Sequence, residues 1–390
     1  MTRISGASAV AVLILVPALL FSAMTSAAPP QQDKWTVMVY IDADNNLEYF
    51  GVENLQWLES VGSSDEVNFV VLIDTYTDEA YLKYVEQGGS TIVQSWGEVD
   101  MASPDTMSKF IKEAKKAYPA KSYAFISWDH GGGWRGLNWD DTTYEQTNGG
   151  DDFMNMKELR QAVVDAGLVF DVFAFDQCLM AQPEVAYQVR DYAKYLVFSE
   201  ETVYGQGFPY DLIAEDMVSK PTMTALECAN VMAEDFAWFY NSITWANDWT
   251  ISVFDMSYMD DMTTAITDLA AASMDSLSMY KTAMKNARSN AQTFYYPYFI
   301  DLKGYAMNLV ADGSIPAGEL KIAAADVVQI IDNGIVSCLN SKHNNDAYGM
   351  TIYLPGYKGS YLGYKTAYEN VPFALDTDWI SFVQAFASNK

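Results

Sequence analysis

Short, strongly apolar runs recur along the first half of the chain, and segments with helical spacing lie between most of them. Runs rich in β-branched and aromatic residues are typical of strands that are covered on both faces of a sheet. The runs are Trp35–Ile41, Val67–Ile73, Tyr123–Trp128, Val172–Phe175 and Tyr195–Phe198. This alternation predicts an α/β fold with a mostly parallel, doubly wound sheet flanked by helices. A hairpin over Tyr81–Trp96 is expected on the margin of that sheet.

The second half of the chain has a different pattern, in which helical spacing dominates. The helical segments are Tyr210–Ser242, Asp255–Ser289 and Pro316–Ser337, and the apolar runs are Thr250–Phe254 and Tyr348–Leu354. No internal repeat and no linker rich in Pro and Ser marks a boundary. We therefore expect an α/β core over residues 29–210 and a mainly helical C-terminal region over residues 211–390, packed on the core. The two late strands are candidates to extend the sheet.

Residues 1–28 have the pattern of a signal peptide. Arg3 supplies a positive charge, Ala9–Phe21 is an uninterrupted apolar run, and Ser26-Ala27-Ala28 offers the small residues that signal peptidase prefers. The alternative is an uncleaved anchor, but the apolar run is short for a membrane span. We expect an exported protein, secreted, periplasmic or at the cell surface, with no membrane attachment after cleavage.

The net charge limits the classes of molecule that the protein is expected to bind. The formal net charge is −28, which argues against nucleic acids and anionic membranes as partners. The chain is 50% hydrophobic and 14% aromatic, so it has enough apolar material for a large core, and wholesale disorder is excluded.

Cys178 lies directly beyond one of the buried runs. Val172–Phe175 reads as the strand and Pro183 opens a helical pattern, so the cysteine falls in a strand-to-helix turn. Ligands bind beyond the carboxyl ends of strands in open α/β sheets, and a nearby helix amino terminus lowers the pKa of a thiol. The position suits a nucleophile, although a structural cysteine is the alternative.

His130 is the natural partner for this thiol, because the chain has only one other histidine, His343. His130 lies in the turn Asp129–Trp134, directly after the run Tyr123–Trp128. The segment Met154–Gly167 has helical spacing and ends in glycine, as a crossover helix does. A βαβ unit would thus bring His130 and Cys178 to the same edge of the sheet.

The remaining cysteines are Cys228 and Cys338, both in apolar surroundings. An odd number of cysteines leaves at least one thiol unpaired within the chain. If a disulfide forms, we expect it between Cys228 and Cys338, with Cys178 free. No Cys-x-x-Cys spacing occurs, so a zinc site is not indicated.

Four short motifs, in order along the chain, resemble those of the clostripain-like cysteine peptidases, relatives of caspases, gingipains and legumains. The motifs are Trp35–Glu48, Asp129-His130-Gly131, Phe175–Ala181, and Ser199-Glu200-Glu201 followed by Gly207–Tyr210. The resemblance implies a caspase-like core and a Cys178/His130 dyad with no third orienting residue. The backbone amides of Gly131 and Cys178 are then the expected oxyanion donors, since a tetrahedral adduct needs preorganised N–H groups.

The resemblance also implies cleavage after Arg or Lys, with Asp176 as an acid of the specificity pocket. A second acid is expected where this chain has Gln206, so the preference for a cation should be weaker. Ser199 and Glu200 match family positions that line the substrate groove. The family often cuts itself between the His and Cys strands, but the stretch Asp140–Phe153 has no Lys or Arg, which argues against self-processing there.

No cofactor is required by this chemistry, although calcium is compatible with the acidic loop after His130. The weak calcium candidates are Asp140, Asp141, Asp151 and Asp152, carboxylates of the hard type that calcium prefers. Their spacing fits no defined loop motif, and a solvated acidic loop is the alternative.

The sequence therefore predicts a secreted cysteine endopeptidase, a peptide hydrolase acting on polypeptide substrates. One alternative is an inactive, peptidase-like binding protein at the cell surface. A remote alternative is a serine esterase, because His130-Gly-Gly-Gly-Trp134 looks like the oxyanion signature of lipase-type hydrolases. No Gly-x-Ser-x-Gly elbow occurs to complete such a site.

Overall fold

A mixed sheet forms the centre of the computed structural model, which describes residues 32–146 and 152–388. The strands are β1 (Asp33–Ala43), β2 (Val67–Thr75), β3 (Asp78–Glu86), β4 (Gly89–Gly97), β5 (Ala120–Trp128), β6 (Leu137–Trp139), β7 (Phe153–Met154), β8 (Phe170–Asp176), β9 (Ala193–Phe198), β10 (Thr250–Asp255), β11 (Phe299–Asp301), β12 (Ile335–Asn340) and β13 (Thr351–Tyr353). The predicted leader over residues 1–28 lies outside the described residues, and so does Asp151.

Helices connect most of these strands. They are α1 (Glu48–Val61), α2 (Pro104–Ala117), α3 (Asp141–Gln146), α4 (Met156–Ala166), α5 (Pro183–Val189), α6 (Tyr210–Ser219), α7 (Ala225–Ser242), α8 (Met259–Asn290), α9 (Leu302–Ala311), α10 (Glu319–Gly334), α11 (Lys358–Tyr368), α12 (Pro372–Asp376) and α13 (Trp379–Ser388). Within the described ranges, no helix has both the length and the apolar character needed to cross a membrane.

The parallel part of the sheet confirms the predicted fold class. In the described ranges the sheet has nine strands in the order β12-β10-β9-β8-β5-β1-β2-β3-β4, and β9, β8, β5, β1 and β2 run parallel. The predicted hairpin is β3–β4, which continues the sheet antiparallel at one margin. Parallel strands place their carboxyl ends at one edge, so the turns after β1, β5 and β8 meet there.

Apolar side chains fill both faces of the sheet. On one face the sheet packs against α2, α4, α5 and α8, through residues such as Phe110, Leu159 and Ile266. On the other face it packs against α1, α6 and α7, through residues such as Leu58 and Met232. Burial on two faces explains why the central strands read as continuous apolar runs rather than as alternating ones.

The second half of the chain departs from the prediction in two places. β10 joins the sheet beside β9, as expected, but the late strand β13 does not: it pairs with β11 in a separate two-stranded ladder. The helix predicted to reach Ser337 ends at Gly334, and β12 follows it as an edge strand against β10. These six residues form a strand because they pair with β10, which lies about eighty residues earlier in the chain. Local periodicity carries no information about so distant a partner.

Residues Gln32–Lys390 form one compact unit, and the expected division at residue 210 stays a prediction. The three cysteines are free: Cys228 is buried in α7, and Cys338 lies half-buried on β12. The conditional disulfide between Cys228 and Cys338 is therefore not formed in this structure.

Candidate active site

His130 and Cys178 occupy equivalent positions on neighbouring strands. In the parallel register of β5 and β8, Trp128 is the partner of Asp176, and each candidate residue lies two positions further along its chain. Both line a cavity of about 190 Å³, whose wall is completed by Leu47, Trp128, Asp129, Asp176, Val203, Tyr204, Gly205 and Gly207. The structure thus brings together the two residues that the βαβ argument paired.

The turns that carry them are in direct backbone contact. A Cβ atom built on Gly131 would lie 2.3 Å from the carbonyl oxygen of Cys178 and 2.9 Å from its amide nitrogen, so only glycine fits. The Gln177 side-chain amide donates to the carbonyl oxygen of His130 at 3.3 Å. Directly after the cysteine, Leu179 has a φ of 66°, a left-handed conformation that is unfavourable for a non-glycine residue.

The thiol of Cys178 lies against the backbone of Val203. Sγ is 3.3 Å from the amide nitrogen of Val203, which donates to it, and 3.6 Å from its carbonyl oxygen. Burial raises the pKa of the Cys178 thiol to about 11, and the negative charges of Asp176, Glu201 and Asp129 add to this effect. The expectation that a helix amino terminus lowers this pKa is wrong, because α5 begins only at Pro183 and carboxylates are the nearer charges.

The imidazole of His130 contacts the side chain of Asn46, which was not among the predicted site residues. Nε2 lies 2.8 Å from Oδ1 of Asn46. Burial lowers the pKa of His130, and the charge of Asp141 opposes this shift. The histidine is therefore disposed to be neutral at pH 7.

The polar stretch Asp42–Asn46 follows β1 and precedes α1, where side chains of this type often cap a helix. The N-cap residue of α1 is Leu47, which makes no side-chain cap. Asn45 instead donates to Asp129 Oδ1 and to the carbonyl oxygen of Trp139, at 2.8 Å each, so it braces the turn that bears His130. The side-chain amides of Asn45 and Asn46 were the signal, since two adjacent asparagines beyond a buried strand lie where ligands bind.

Asp176 lies on the floor of the cavity. Its carboxylate is buried, and Oδ2 accepts hydrogen bonds from the amide of Phe208 at 2.9 Å and the hydroxyl of Tyr210 at 3.0 Å. Oδ1 is buried without a hydrogen-bond partner in the protein. Gly207, with a φ of 61°, lets the chain pass against this carboxylate, because a Cβ there would lie 2.5 Å from Oδ2. Burial raises the pKa of Asp176 to about 7.

Ser199, Glu200 and Gln206 were predicted to bind substrate, but they do not line the cavity. Ser199 is buried and contacts Thr250 and the carbonyl oxygen of Glu201. Glu200 is buried under the same turn, where Oε2 accepts from the amide of Gly349. Both are supports of the turn rather than groove residues, because their partners lie inside the protein.

Gln206 lies between the cavity-lining Gly205 and Gly207 but does not itself line the wall. Its carbonyl oxygen accepts from the side chain of Asn54 at 2.9 Å. The residues that do line the wall and were missed are Val203 and Tyr204, whose types gave no chemical signal in the sequence.

A second, larger cavity lies on the other side of His130. It has a volume of about 430 Å³ and is lined by Asn45, Asn46, His130, Gly131, Gly132, Arg135, Trp139, Asp141 and Tyr296. Gly131 lines this second cavity, and its amide is free of the local ladder, whose hydrogen bonds join Gly132 N to Gly136 O and Asn138 N to His130 O.

The predicted calcium candidates do not converge. Asp141 lies at the rim of the second cavity, Asp152 is half-buried elsewhere in the loop, and Asp151 lies outside the described residues. Asp140 alone joins a compact group of acids, with Asp44 and Glu98. Asp44 and Glu98 were not among the predicted site residues.

The chain is similar to proteins of one known family. The clostripain family model matches residues 39–386. Clostripain of Hathewaya histolytica is 30% identical over 222 residues, which are 47% of this chain and 42% of that protein, so the match spans less than half of the relative's length.

Two solved structures share the fold. A secreted cysteine protease from Bacteroides thetaiotaomicron, in complex with an irreversible peptide inhibitor, superposes with a TM-score of 0.69 at 22% identity, covering 89% of this chain and 99% of that chain. An inactive zymogen protease from Parabacteroides distasonis gives 0.68 at 20% identity, covering 90% and 99%. Since the family model spans nearly all of the described chain, the protein belongs to the clostripain family of cysteine peptidases.

Proposed function

We propose that the protein is an exported cysteine endopeptidase that cuts polypeptides after Lys or Arg through a dyad of Cys178 and His130. The observation that carries the proposal is that Cys178, His130 and the carboxylate of Asp176 line one cavity. A nucleophile, a proton carrier and a buried anion in one cleft are what hydrolysis beside a basic residue requires.

The pKa shifts describe how the dyad works. A thiol with a raised pKa beside a histidine with a lowered one is a neutral pair at rest. His130 therefore takes the thiol proton as Sγ attacks the scissile carbonyl carbon, and it then gives that proton to the leaving amine. Water attacks the resulting thioester, again losing its proton to His130, and the acid product leaves as the thiol reforms.

Asn46 orients the histidine in this scheme. If Oδ1 of Asn46 accepts from Nε2–H, the proton of the neutral ring is fixed on Nε2 and the lone pair of Nδ1 is free for the thiol proton. The dyad then has a positioning residue after all, although it is an amide rather than an acid.

The oxyanion of the tetrahedral adduct needs donors that are already in place. The amide of Gly131 is free of the local ladder and lies against the backbone of Cys178. We assign the amides of Gly131 and Cys178 to this role. The cavity beyond Gly131 then receives the leaving-group side of the substrate, because His130 lies between the two cavities and protonates the leaving amine.

Basic specificity rests on Asp176. Its Oδ1 is buried and has no partner in the protein, so an incoming ammonium or guanidinium group supplies the missing interaction. No second acid lines the described wall of this cavity apart from Asp129, whose carboxylate is engaged by Asn45 and Trp139. A single available carboxylate supports a basic preference of limited strictness.

Export is supported by the leader pattern of residues 1–28, and the proposed dyad uses groups of the protein alone. The two alternatives, an inactive binding protein and a serine esterase, predict a Cys178 that does no chemistry. Purified protein is treated with a peptidyl-lysine chloromethyl ketone, and the site of addition is mapped by mass spectrometry. We expect one adduct on Cys178 and loss of fluorogenic lysyl-peptide hydrolysis.

The matched variants are Cys178→Ala and Cys338→Ala, which each remove one half-buried free thiol. Only the first should abolish turnover, and its structural cost should stay below about 2 kcal/mol because no large side chain is lost. Turnover that survives Cys178→Ala would refute the dyad.

A further inference from the structure

Arg135 lines the larger of the two cavities beside His130. This cavity has a volume of about 430 Å³, within the range of about 300–1,000 Å³ that is usual for ligand pockets. Gly131 and His130 line the same space. A group that binds in this cavity is therefore in reach of both the histidine of the proposed dyad and one guanidinium.

Arg135 differs from the other arginines of the described chain in what it contacts. Arg160 forms an ion pair with Asp191, and Arg190 and Arg288 donate to backbone carbonyl oxygens. Among the ion pairs within residues 32–146 and 152–388, none involves Arg135. The chain has 51 acidic residues against 23 Lys and Arg, so acids are abundant and this arginine still has none as a partner. Its charge is available to a ligand.

Aromatic rings hold the guanidinium of Arg135 without neutralising it. Its central carbon lies 5.2 Å from the ring centroid of Tyr296 and 5.0 Å from that of Tyr364. Tyr298 packs against both rings, at 5.1 and 5.2 Å between centroids. The hydroxyl of Tyr296 contacts the guanidinium and uses only part of its five N–H donors. A stacked guanidinium keeps its planar fork of donors for a carboxylate, which matches that fork with two oxygens.

The turn that carries Arg135 is anchored to the protein. Gly133 has a φ of 63°, and a Cβ there would lie 2.5 Å from the side chain of Gln182. The amide of Trp134 donates to Oε1 of the same glutamine at 2.9 Å, and the indole of Trp134 is buried. The backbone of Arg135 is thus held beside the turn of His130, so little ordering is needed when a ligand binds.

The cavity also has an acid, Asp141, in a different part of its wall. Burial lowers the pKa of His130 and the charge of Asp141 opposes this shift, which places Asp141 near the imidazole. The neighbours of Arg135 are Tyr296 and Tyr364 instead. The cavity is therefore negative near the imidazole and positive at Arg135. A peptide leaving group has the matching order of charges, because its new amino terminus forms at His130 and any carboxylate lies further along it.

We propose that Arg135 binds a carboxylate of the leaving segment, within the first two residues after the cut. This inference rests on the proposed function, which assigns the leaving-group side of the substrate to this cavity. The carboxylate belongs to an Asp or Glu side chain or to the carboxyl terminus of a short leaving peptide, and both present two oxygens to the guanidinium. The enzyme then selects charge on both sides of the scissile bond, a cation before it through Asp176 and an anion after it through Arg135.

The first experiment compares internally quenched peptides that have Lys before the cut. The peptides are identical except for Glu or its neutral isostere Gln at the first or second position after the cut. We expect Glu to raise kcat/KM at least about 10-fold over Gln at one of these positions, because a hydrogen-bonded charge pair is formed. Arg135→Gln should abolish the difference between the two peptides, and Arg135→Lys should retain part of it. Equal use of Glu and Gln peptides by the unsubstituted protein would overturn the proposal.

Arg190→Gln is the matched control for the charge of Arg135. Arg190 also lies over a tyrosine ring, 3.6 Å from the centroid of Tyr187, but it lines neither of the two cavities beside His130. This variant should keep the preference for Glu over Gln. An equal loss of preference in Arg190→Gln and Arg135→Gln would show that the net charge of the protein, rather than a subsite, causes it, and would overturn the proposal.

The second experiment measures binding without turnover and identifies the source of the carboxylate. Cys178→Ala protein is titrated calorimetrically with three product-like dipeptides: alanyl-glutamate amide, alanyl-glutamine and alanyl-glutamine amide. The first has only a side-chain carboxylate, the second only a terminal one, and the third has neither. We expect at least one of the first two to bind at least about 10-fold more tightly than the third, and Arg135→Gln to remove this advantage. Equal affinities for all three would overturn the proposal.

The two experiments separate this inference from the proposed peptidase activity. Carboxylate-dependent binding to Cys178→Ala, together with an unsubstituted protein that cuts no peptide, would keep the Arg135 site and refute the activity. Turnover of lysyl peptides without discrimination between Glu and Gln would keep the activity and refute the site.

Discussion

Gly131 and Cys178 are in backbone contact across two neighbouring strands: a methyl group on Gly131 would lie 2.3 Å from the carbonyl oxygen of Cys178. Real Cβ atoms do not approach other atoms so closely, so the distance between the two turns depends on the absence of a side chain. The same contact brings the turn that carries the free amide of Gly131 against the backbone of Cys178. The spacing of the proposed oxyanion donors and nucleophile is thus set by one glycine.

Gly131→Ala should lower kcat/KM for a lysyl-peptide substrate by at least about 100-fold, because displacing a reacting group by about 1 Å has an effect of that size. Gly89→Ala is the control, since a Cβ there would meet no atom within 4 Å and this residue lines neither cavity. Steady-state kinetics and Tm are measured for both. Equal activity in the two variants would mean that the turns are not held at this contact.

The reactivity of Cys178 should follow its raised pKa. Because the thiol has a pKa of about 11, iodoacetamide should react slowly at pH 7 and faster as the pH rises through 9 to 11. His130→Ala should reduce turnover at least about 100-fold but change this alkylation little, since no ion pair exists at rest. Stopped alkylation assays with mass detection give the rates. A plateau already reached below pH 8 would reveal a preformed thiolate and contradict the neutral pair.

Asp176→Asn keeps the shape of the cavity floor and removes its charge. Turnover of Lys and Arg substrates should fall by at least about 100-fold in kcat/KM, roughly 2.7 kcal/mol, because a cation would be buried without a partner. Neutral substrates should lose far less. Asp211→Asn, in the first turn of α6 and outside the cavity wall, is the charge-matched control. An equal loss for basic and neutral substrates would show that Asp176 orients the turn and does not select charge.

The preference for basic residues should also depend on pH. The pKa of Asp176 is about 7 in the empty cavity, so the carboxylate is charged above pH 7 and neutral below it. As the pH falls from 8 to 6, KM should rise for lysyl substrates and stay nearly constant for neutral ones. The ratio of the two values isolates this carboxylate from groups that affect both substrates. A constant ratio across this range would exclude titration of Asp176 as its cause.

The stretch Asp140–Phe153 should stay uncut, because it offers no Lys or Arg to a protease with basic specificity. Purified mature protein, incubated alone, should remain one chain across this region on a denaturing gel. Amino-terminal sequencing of any fragment gives the position of a cut. New termini between residues 141 and 154 that vanish in Cys178→Ala would show self-cleavage at a neutral site and would contradict the specificity proposal.

The fold could be predicted from the sequence where strands are buried on both faces of the sheet. Val172–Phe175 and Tyr123–Trp128 are apolar without interruption because both faces of the central strands are covered, and this pattern needs no knowledge of partners. Strands at the edge of the sheet were harder to predict from the sequence. The strand over Ile335–Asn340 has mixed polarity, and its conformation follows from pairing with Thr250–Asp255, a contact that no local window contains.

The site residues also differ in how well the sequence predicted their positions. His130 and Cys178 could be placed at one edge of the sheet because each follows a buried strand, and the ends of parallel strands meet at one edge. Asp176 was indicated only by the resemblance to the peptidase family. Ser199 and Glu200 were misplaced because a sequence motif does not show which side of a turn faces the solvent. Asn46 was not predicted as a contact of the histidine, since helix capping and binding use the same short polar side chains.

The sequence alone indicated the alternation of strands and helices in the first half of the chain, the excess of negative charge and the pairing of one histidine with one cysteine, because these depend on residue type and local spacing. The tertiary structure decided the environment of each group. Burial beside carboxylates raises the pKa of the Cys178 thiol, and convergence of three loops brings carboxylate oxygens of Asp44, Glu98 and Asp140 within 4.8 Å of one another. Both effects are sums over residues distant along the chain, and electrostatic energy depends on distance in space rather than in sequence.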